Sequence, residues 1–160
     1  MRLLALRPLA LLCGLALLAT MSTSAQTVPV DTETSQISYK GSHFVHSWTG
    51  VSNEVTGSLT LDLAEPANSQ IEIVAPVESF DSGNGGRDRK MAELVETEVN
   101  PNVRFVSSSI EAEQWDGTAG RWIARGDLTF HGLTFPAEIP VDVQVEDGQF
   151  VATGSFEISL

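Results

Sequence analysis

Apolar and polar residues take turns along most of this chain, and that period of two constrains the fold more than any other feature. Val55, Gly57, Leu59, Leu61 and Leu63 share one parity, against Glu54, Thr56, Ser58, Thr60 and Asp62 on the other. The same pattern recurs at Ile37 and Tyr39 and at Ile71, Ile73 and Ala75, and Val103 to Ile110 reads as a further strand. The alternation returns from Trp122 to Phe130, from Ala137 to Val145, and from Phe150 to Ile158. Side chains on successive strand residues point to opposite faces, so each run predicts a strand with one dry and one wet face. Turn chemistry separates them: Glu65-Pro66-Ala67-Asn68, Trp115-Asp116-Gly117 with Ala119-Gly120, His131-Gly132 and the hairpin signal Asp147-Gly148. About seven one-sided strands result, and a sheet that is dry on one face must cover it, by curling into a barrel or pairing as a sandwich. Gly57, Gly126 and Gly154 lie on the dry parity, where a missing side chain permits strong curvature, so a barrel is expected.

One stretch breaks the alternation. After Asp81-Ser82-Gly83-Asn84-Gly85-Gly86 comes Arg87 to Glu96, with Met91, Leu94 and Val95 at helical spacing and charged residues elsewhere, closed by Asn100-Pro101. This predicts a single helix capping one end of the barrel through those three apolar residues, with Arg87 and Asp88 as anchors. The residues Gly41–Gly50, bounded by glycines, read as a turn or a short helical piece.

The first 25 residues read as a secretory signal: Arg2 and Arg7, an apolar run from Leu9 to Ala19, and Thr23-Ser24-Ala25 before Gln26. That run falls short of the ~20 apolar residues that span a bilayer, so no membrane span is expected after cleavage. Cys13 lies inside the run and follows Leu12, so it reads as a cysteine discarded with the signal, and no disulfide is available to residues 26–160. Loss of residues 1–25 removes Arg2 and Arg7 and no acid. What remains has 7 basic and 21 acidic residues, a formal net charge of −14. Such a balance opposes binding to nucleic acid or to anionic lipid surfaces, both of which require basic patches.

Four motifs in order, Val30-Asp31 with Ile37-Ser38-Tyr39, Arg87-Asp88 after Asp81-Ser82-Gly83, Asn100-Pro101-Asn102-Val103-Arg104-Phe105, and Gly126 to Thr134, resemble the YceI-like family of exported polyisoprenoid-binding proteins. The resemblance implies a lipocalin-like antiparallel barrel of about eight strands with an elongated apolar pore. Two departures stand out. Lys90 occupies a region where the family often has a histidine, and family members run on for about two more strands beyond Gly154-Ser155-Phe156-Glu157-Ile158. The sequence is therefore either a fragment or a barrel with an open side, whose edges would need covering.

No catalytic constellation emerges. There is no Gly-x-Ser-x-Gly, and the acids sit mostly on wet parities. Asp81–Gly86 places glycines where a calcium loop needs oxygen ligands. His43 and His46 could share a metal only if joined by further ligands. Arg87 could hold a phosphate head group or tie helix to barrel. No cofactor is expected. The expected fold is all-β, an antiparallel lipocalin-like barrel over residues 26–160 with one short helix inserted between strands. Its interior would be lined by Tyr39, Leu59, Leu61, Ile73, Phe105, Leu128, Phe130, Val141 and Val143, with Phe44 and Trp48 at its mouth. Each of these also serves as ordinary core. The expected function is an exported, periplasmic or secreted bacterial protein that holds a polyisoprenoid, isoprenoid quinone or fatty-acid derivative. The alternative is a non-catalytic structural or interaction module with a solid core, and a homodimer is left open.

Overall fold

The computed structural model describes residues 25–157; the signal-like segment, apart from Ala25, and the last three residues lie outside that span. Nine strands and one α-helix occur among the described residues: β1 Gln26–Pro29, β2 Ile37–His43, β3 His46–Ser52, β4 Thr56–Leu61, β5 Gln70–Pro76, α1 Gly85–Leu94, β6 Asn102–Trp115, β7 Ala119–Phe130, β8 Leu133–Glu146 and β9 Gln149–Gly154. Two short 3-10 turns, Pro66–Asn68 and Val77–Ser79, flank β5. Seven strands form one antiparallel sheet in the order β1-β4-β5-β6-β7-β8-β9, while β2 and β3 form a separate two-stranded sheet, tied to the chain beyond β5 by a bridge between Val51 and Asp81. The sheet curls into a half-barrel, as the alternation with its dry-parity glycines predicts, and of the lipocalin-like class that the family resemblance implies.

Curvature is built by departures from regular pairing. In β6 the inward residues are Phe105 and Ser107, then Ile110 and Ala112, then Trp115, because register shifts between Ser107 and Ser109 and between Ala112 and Gln114 each insert an extra residue. A bulge bends its strand and increases its twist. Gly126 pairs with Ser107 at the edge of the first bulge, and Gly120 pairs with Trp115, just past the second. A Cβ on Gly126 would fall 2.0 Å from the carbonyl oxygen of Val106, and one on Gly120 would fall 1.6 Å from that of Gln114. Only glycine admits so close an approach of two backbones.

The dry parity becomes the inner face. Phe105, Ile110, Trp122, Ala124, Leu128, Val141 and Val143 form its buried centre, and Leu61, Leu63, Ile71, Val103, Trp115, Ile139 and Phe150 pack around them. The outer face is mostly wet, with Ile123 its buried apolar exception. Arg125 reaches both Glu111 and Glu138 at 2.7 Å, and Arg104 reaches Glu72 at 2.8 Å. Exposed pairs of this kind add little stability, typically under ~1 kcal/mol each, so the inner face carries the fold.

Two expectations are corrected. Residues Gly41–Gly50 are neither a turn nor a helical piece but most of the β2–β3 hairpin. Tyr39 stands across from Gly50 and Trp48 across from Gly41, and each aromatic ring covers the facing glycine backbone. Cross-strand cover of this sort compensates for glycine's missing side chain. The second correction concerns α1. It packs beside the Val77–Ser79 turn, none of its residues is buried, and Leu94 is 63% exposed. Met91 is only half-buried, and Val95, which is buried, lies just past the helix end. The three residues do not form an apolar cap over the sheet.

Candidate functional site

The inner face of the half-barrel is the candidate site. Register places Ile73, Phe105, Leu128 and Phe135 side by side across β5, β6, β7 and β8, and Ala112, Trp122 and Val141 across β6, β7 and β8. Directly paired strand residues share a face, so these rows run across one continuous apolar surface. Its centre is closed and its margins are not. Trp122 and Val143 are 1% exposed, whereas Leu59, Leu61, Ile71, Ile73, Phe130, Phe135, Ile139 and Phe150 remain half-buried.

One end is filled by aromatic rings. Trp122 packs edge-on against Trp115 at a centroid distance of 5.3 Å and lies 5.4 Å from Phe150. The Trp115 indole N–H donates to the carbonyl of Leu63 at 2.9 Å, but that of Trp122 has no hydrogen-bond acceptor among the described residues. A buried donor without an acceptor costs roughly 1–3 kcal/mol.

Of the residues singled out from the sequence, Phe105, Leu128, Val141 and Val143 lie in the buried centre and Leu61 packs against it. Leu59, Ile73 and Phe130 share that face nearer its margins. Tyr39, Phe44 and Trp48 lie elsewhere, on the separate hairpin. Sequence reading passed over Ile110, Trp115, Trp122 and Phe150 as site residues. Trp122 and Phe150 stood on the dry parity and could have been found there; Ile110 and Trp115 were hidden by the bulges.

The hairpin is fastened at its base. Tyr39 meets Phe80 edge-on at 5.6 Å, and Val51 exchanges backbone hydrogen bonds with Asp81, both 2.9 Å long. The Arg87 guanidinium lies 5.0 Å over the Trp48 ring while its Nε donates to Ser82 Oγ at 2.8 Å and its Nη2 to the Ser82 carbonyl at 2.7 Å. Asp88 accepts from both the backbone N–H and the hydroxyl of Ser82. Asn84 caps α1, its side-chain oxygen accepting from the N–H groups of Gly86 and Arg87. Arg87 and Asp88 thus couple helix, loop and hairpin, so the anchoring role is the one the geometry supplies. Asp81 Oδ1 accepts from Gly83 N–H at 2.7 Å, which makes the glycine-rich segment a side-chain-stabilised turn.

His43 and His46 pair across the hairpin on opposite strands. Among the described residues, no three His, Cys, Asp or Glu side chains are gathered as a metal site. One recess, about 520 Å³, is an open depression beside α1, lined by Glu78, Arg89, Ala92, Glu93, Glu96, Thr97, Glu98 and Val99. Four glutamates give it an acidic rim. No helix among the described residues is long and apolar enough to cross a membrane.

Comparison with known proteins places this geometry. The family described as YceI-like domain matches residues 29–160. A UPF0312 protein of Shewanella baltica is 30% identical over 136 residues, covering 82% of this chain and 69% of the relative. A UPF0312 protein of Photorhabdus laumondii is 26% identical over 113 residues, covering 69% and 56%. Among solved structures, BcnA of Burkholderia cenocepacia superposes with a TM-score of 0.71 at 21% identity, over 78% of this chain and 77% of that one. The YCEI protein of Campylobacter jejuni gives 0.51 at 15% identity, over 66% and 61%. Both likenesses concern the fold.

Proposed function

The chain belongs to the YceI-like domain family, and on that premise we propose that it is an exported, non-catalytic carrier of a long apolar or amphiphilic molecule held against the inner face of the half-barrel. The ligand class is a polyisoprenoid, an isoprenoid quinone or a fatty-acid derivative, and the compartment is the bacterial periplasm or the exterior. One observation carries the reading: an apolar surface runs across the sheet from Leu59 and Leu61 to Ile139, with margins half-open to solvent. Burying aliphatic groups there contributes ~0.8 kcal/mol per methylene, so a linear chain would gain affinity with length. Specific polar recognition would be slight, because the face presents chiefly aliphatic and aromatic side chains.

A structural module with a solid core is the second reading, favoured by the Trp115–Trp122–Phe150 packing that fills one end of the face. Native mass spectrometry of protein purified without detergent, followed by organic extraction, separates the two. A carrier retains an extractable lipid or takes one up when offered prenyl lipids. A preparation that is empty and stays empty rejects the carrier reading.

A further inference from the structure

We propose that the tip of the β2–β3 hairpin is a membrane-docking finger whose partner is a phospholipid bilayer surface. The tip is the two-residue loop Phe44-Val45, between paired His43 and His46. Phe44 is 95% exposed and Val45 89%, the two most exposed large apolar residues among those described. The backbone at Phe44 has φ of 51°, a left-handed conformation that side chains disfavour. The corresponding tight turn between β8 and β9 uses Asp147-Gly148, both at positive φ, which is the favoured chemistry for a two-residue hairpin. At the β2–β3 tip the sequence instead presents an aromatic and a β-branched residue to solvent.

Charge selects the partner. The described residues hold 21 acidic and 7 basic side chains, yet from Thr34 to Asn53 there is no acid at all, and Lys40 lies within that stretch. The rest of the surface repels phosphate-bearing headgroups, and the hairpin does not. An exposed apolar tip on an acid-free, weakly basic stem can enter the interfacial layer while the acidic body stays in water. The stem is stiff enough to present it, because Trp48 is held between Gly41 and the Arg87 guanidinium, and Tyr39 between Gly50 and Phe80. Docking of this kind does not depend on ligand binding to the sheet.

The test is flotation of residues 26–160 with phosphatidylcholine vesicles that contain no prenyl lipid, comparing wild type with the double variant Phe44→Asn, Val45→Gly. That pair installs a favoured hairpin turn, so the variant keeps or raises its thermal midpoint while losing its apolar tip. Wild type is expected to float with vesicles and the variant to lose at least roughly tenfold in partitioning. Lipid uptake by the variant, read by native mass spectrometry, stays unchanged. Wild type that remains in the soluble fraction, or a variant that floats equally well, overturns the proposal. So does a wild type whose tip instead drives self-association, seen as a dimer that the variant abolishes without any vesicle binding.

Discussion

Replacing Gly126 by alanine puts the origin of the curled sheet to a quantitative test. The added methyl would lie 2.0 Å from the Val106 carbonyl oxygen, 2.7 Å from the Ser107 Cα and 2.8 Å from the Val106 carbonyl carbon. All three are backbone atoms, so no side-chain rotation relieves the overlap. The β6–β7 ladder must open at the bulge beside Ser107. Overpacking typically costs about 1–3 kcal/mol, and a backbone collision belongs at or above the top of that range. Alanine recovers roughly 0.4–1 kcal/mol by restricting the unfolded chain. The net expectation is a loss of about 2 kcal/mol, a fall in Tm of roughly 6–8 °C for a domain of this size. Gly85→Ala is the control. Nothing lies within 4 Å of a Cβ there and its φ is not positive, so the same substitution should be neutral or slightly stabilising. Thermal circular dichroism and urea titration of both variants read the difference. A Gly126→Ala protein as stable as Gly85→Ala would refute the account of how the sheet curls.

Arg87→Ala should destabilise by about 1–2 kcal/mol through loss of the Trp48 stacking and the forked contact with Ser82, and Arg87→Lys should rescue it only in part. Urea midpoints measure this, with faster amide exchange in β2 and β3 as the local signature. Phe105→Ala should cost about 3–5 kcal/mol as a cavity at the centre of the inner face, seen as a shifted urea midpoint with an unchanged slope. The Asp62 carboxylate is held below its ordinary range chiefly by the Glu65 N–H, against desolvation and with help from Asn68 and the Ala64 N–H. Asp116 is lowered chiefly by the Ala119 N–H and then by Thr118. Because their folded-state pKa values are depressed, their contribution is present above the unfolded carboxylate value of about 3.9 and is lost as pH falls through the lower folded values. Urea midpoints between about pH 5 and 2 should fall more gently for the double variant Asp62→Asn, Asp116→Asn than for wild type.

The alternation in β4, β5, β7, β8 and β9 was legible because each strand has one dry face, and a period of two carries that fact without reference to partners. The β2–β3 hairpin was not. Gly41 and Gly50 look like boundaries along the chain, and only the cross-strand placement of Trp48 and Tyr39 over them makes them strand residues. β1 is four residues long, too short for a pattern to register. The two bulges in β6 shift parity twice, which concealed Ile110 and Trp115. Helical spacing correctly marked α1 as a helix but could not say what it covers, since Leu94 satisfies the spacing and faces solvent. Likewise, aromatic character drew attention to Tyr39, Phe44 and Trp48, whose separation from the sheet depends on strand pairing alone.

Methyl-resolved NMR offers the most direct test that the inner face holds the ligand. With Ile, Leu and Val methyls labelled, titration with a prenyl lipid should shift Leu61, Ile71, Ile73, Leu128 and Ile139 together. Leu94, exposed on α1, and Val99, exposed in the recess beside α1, should stay fixed. Saturable shifts confined to the inner-face set are the predicted result. An unchanged spectrum, or shifts centred on Leu94 and Val99, would contradict it.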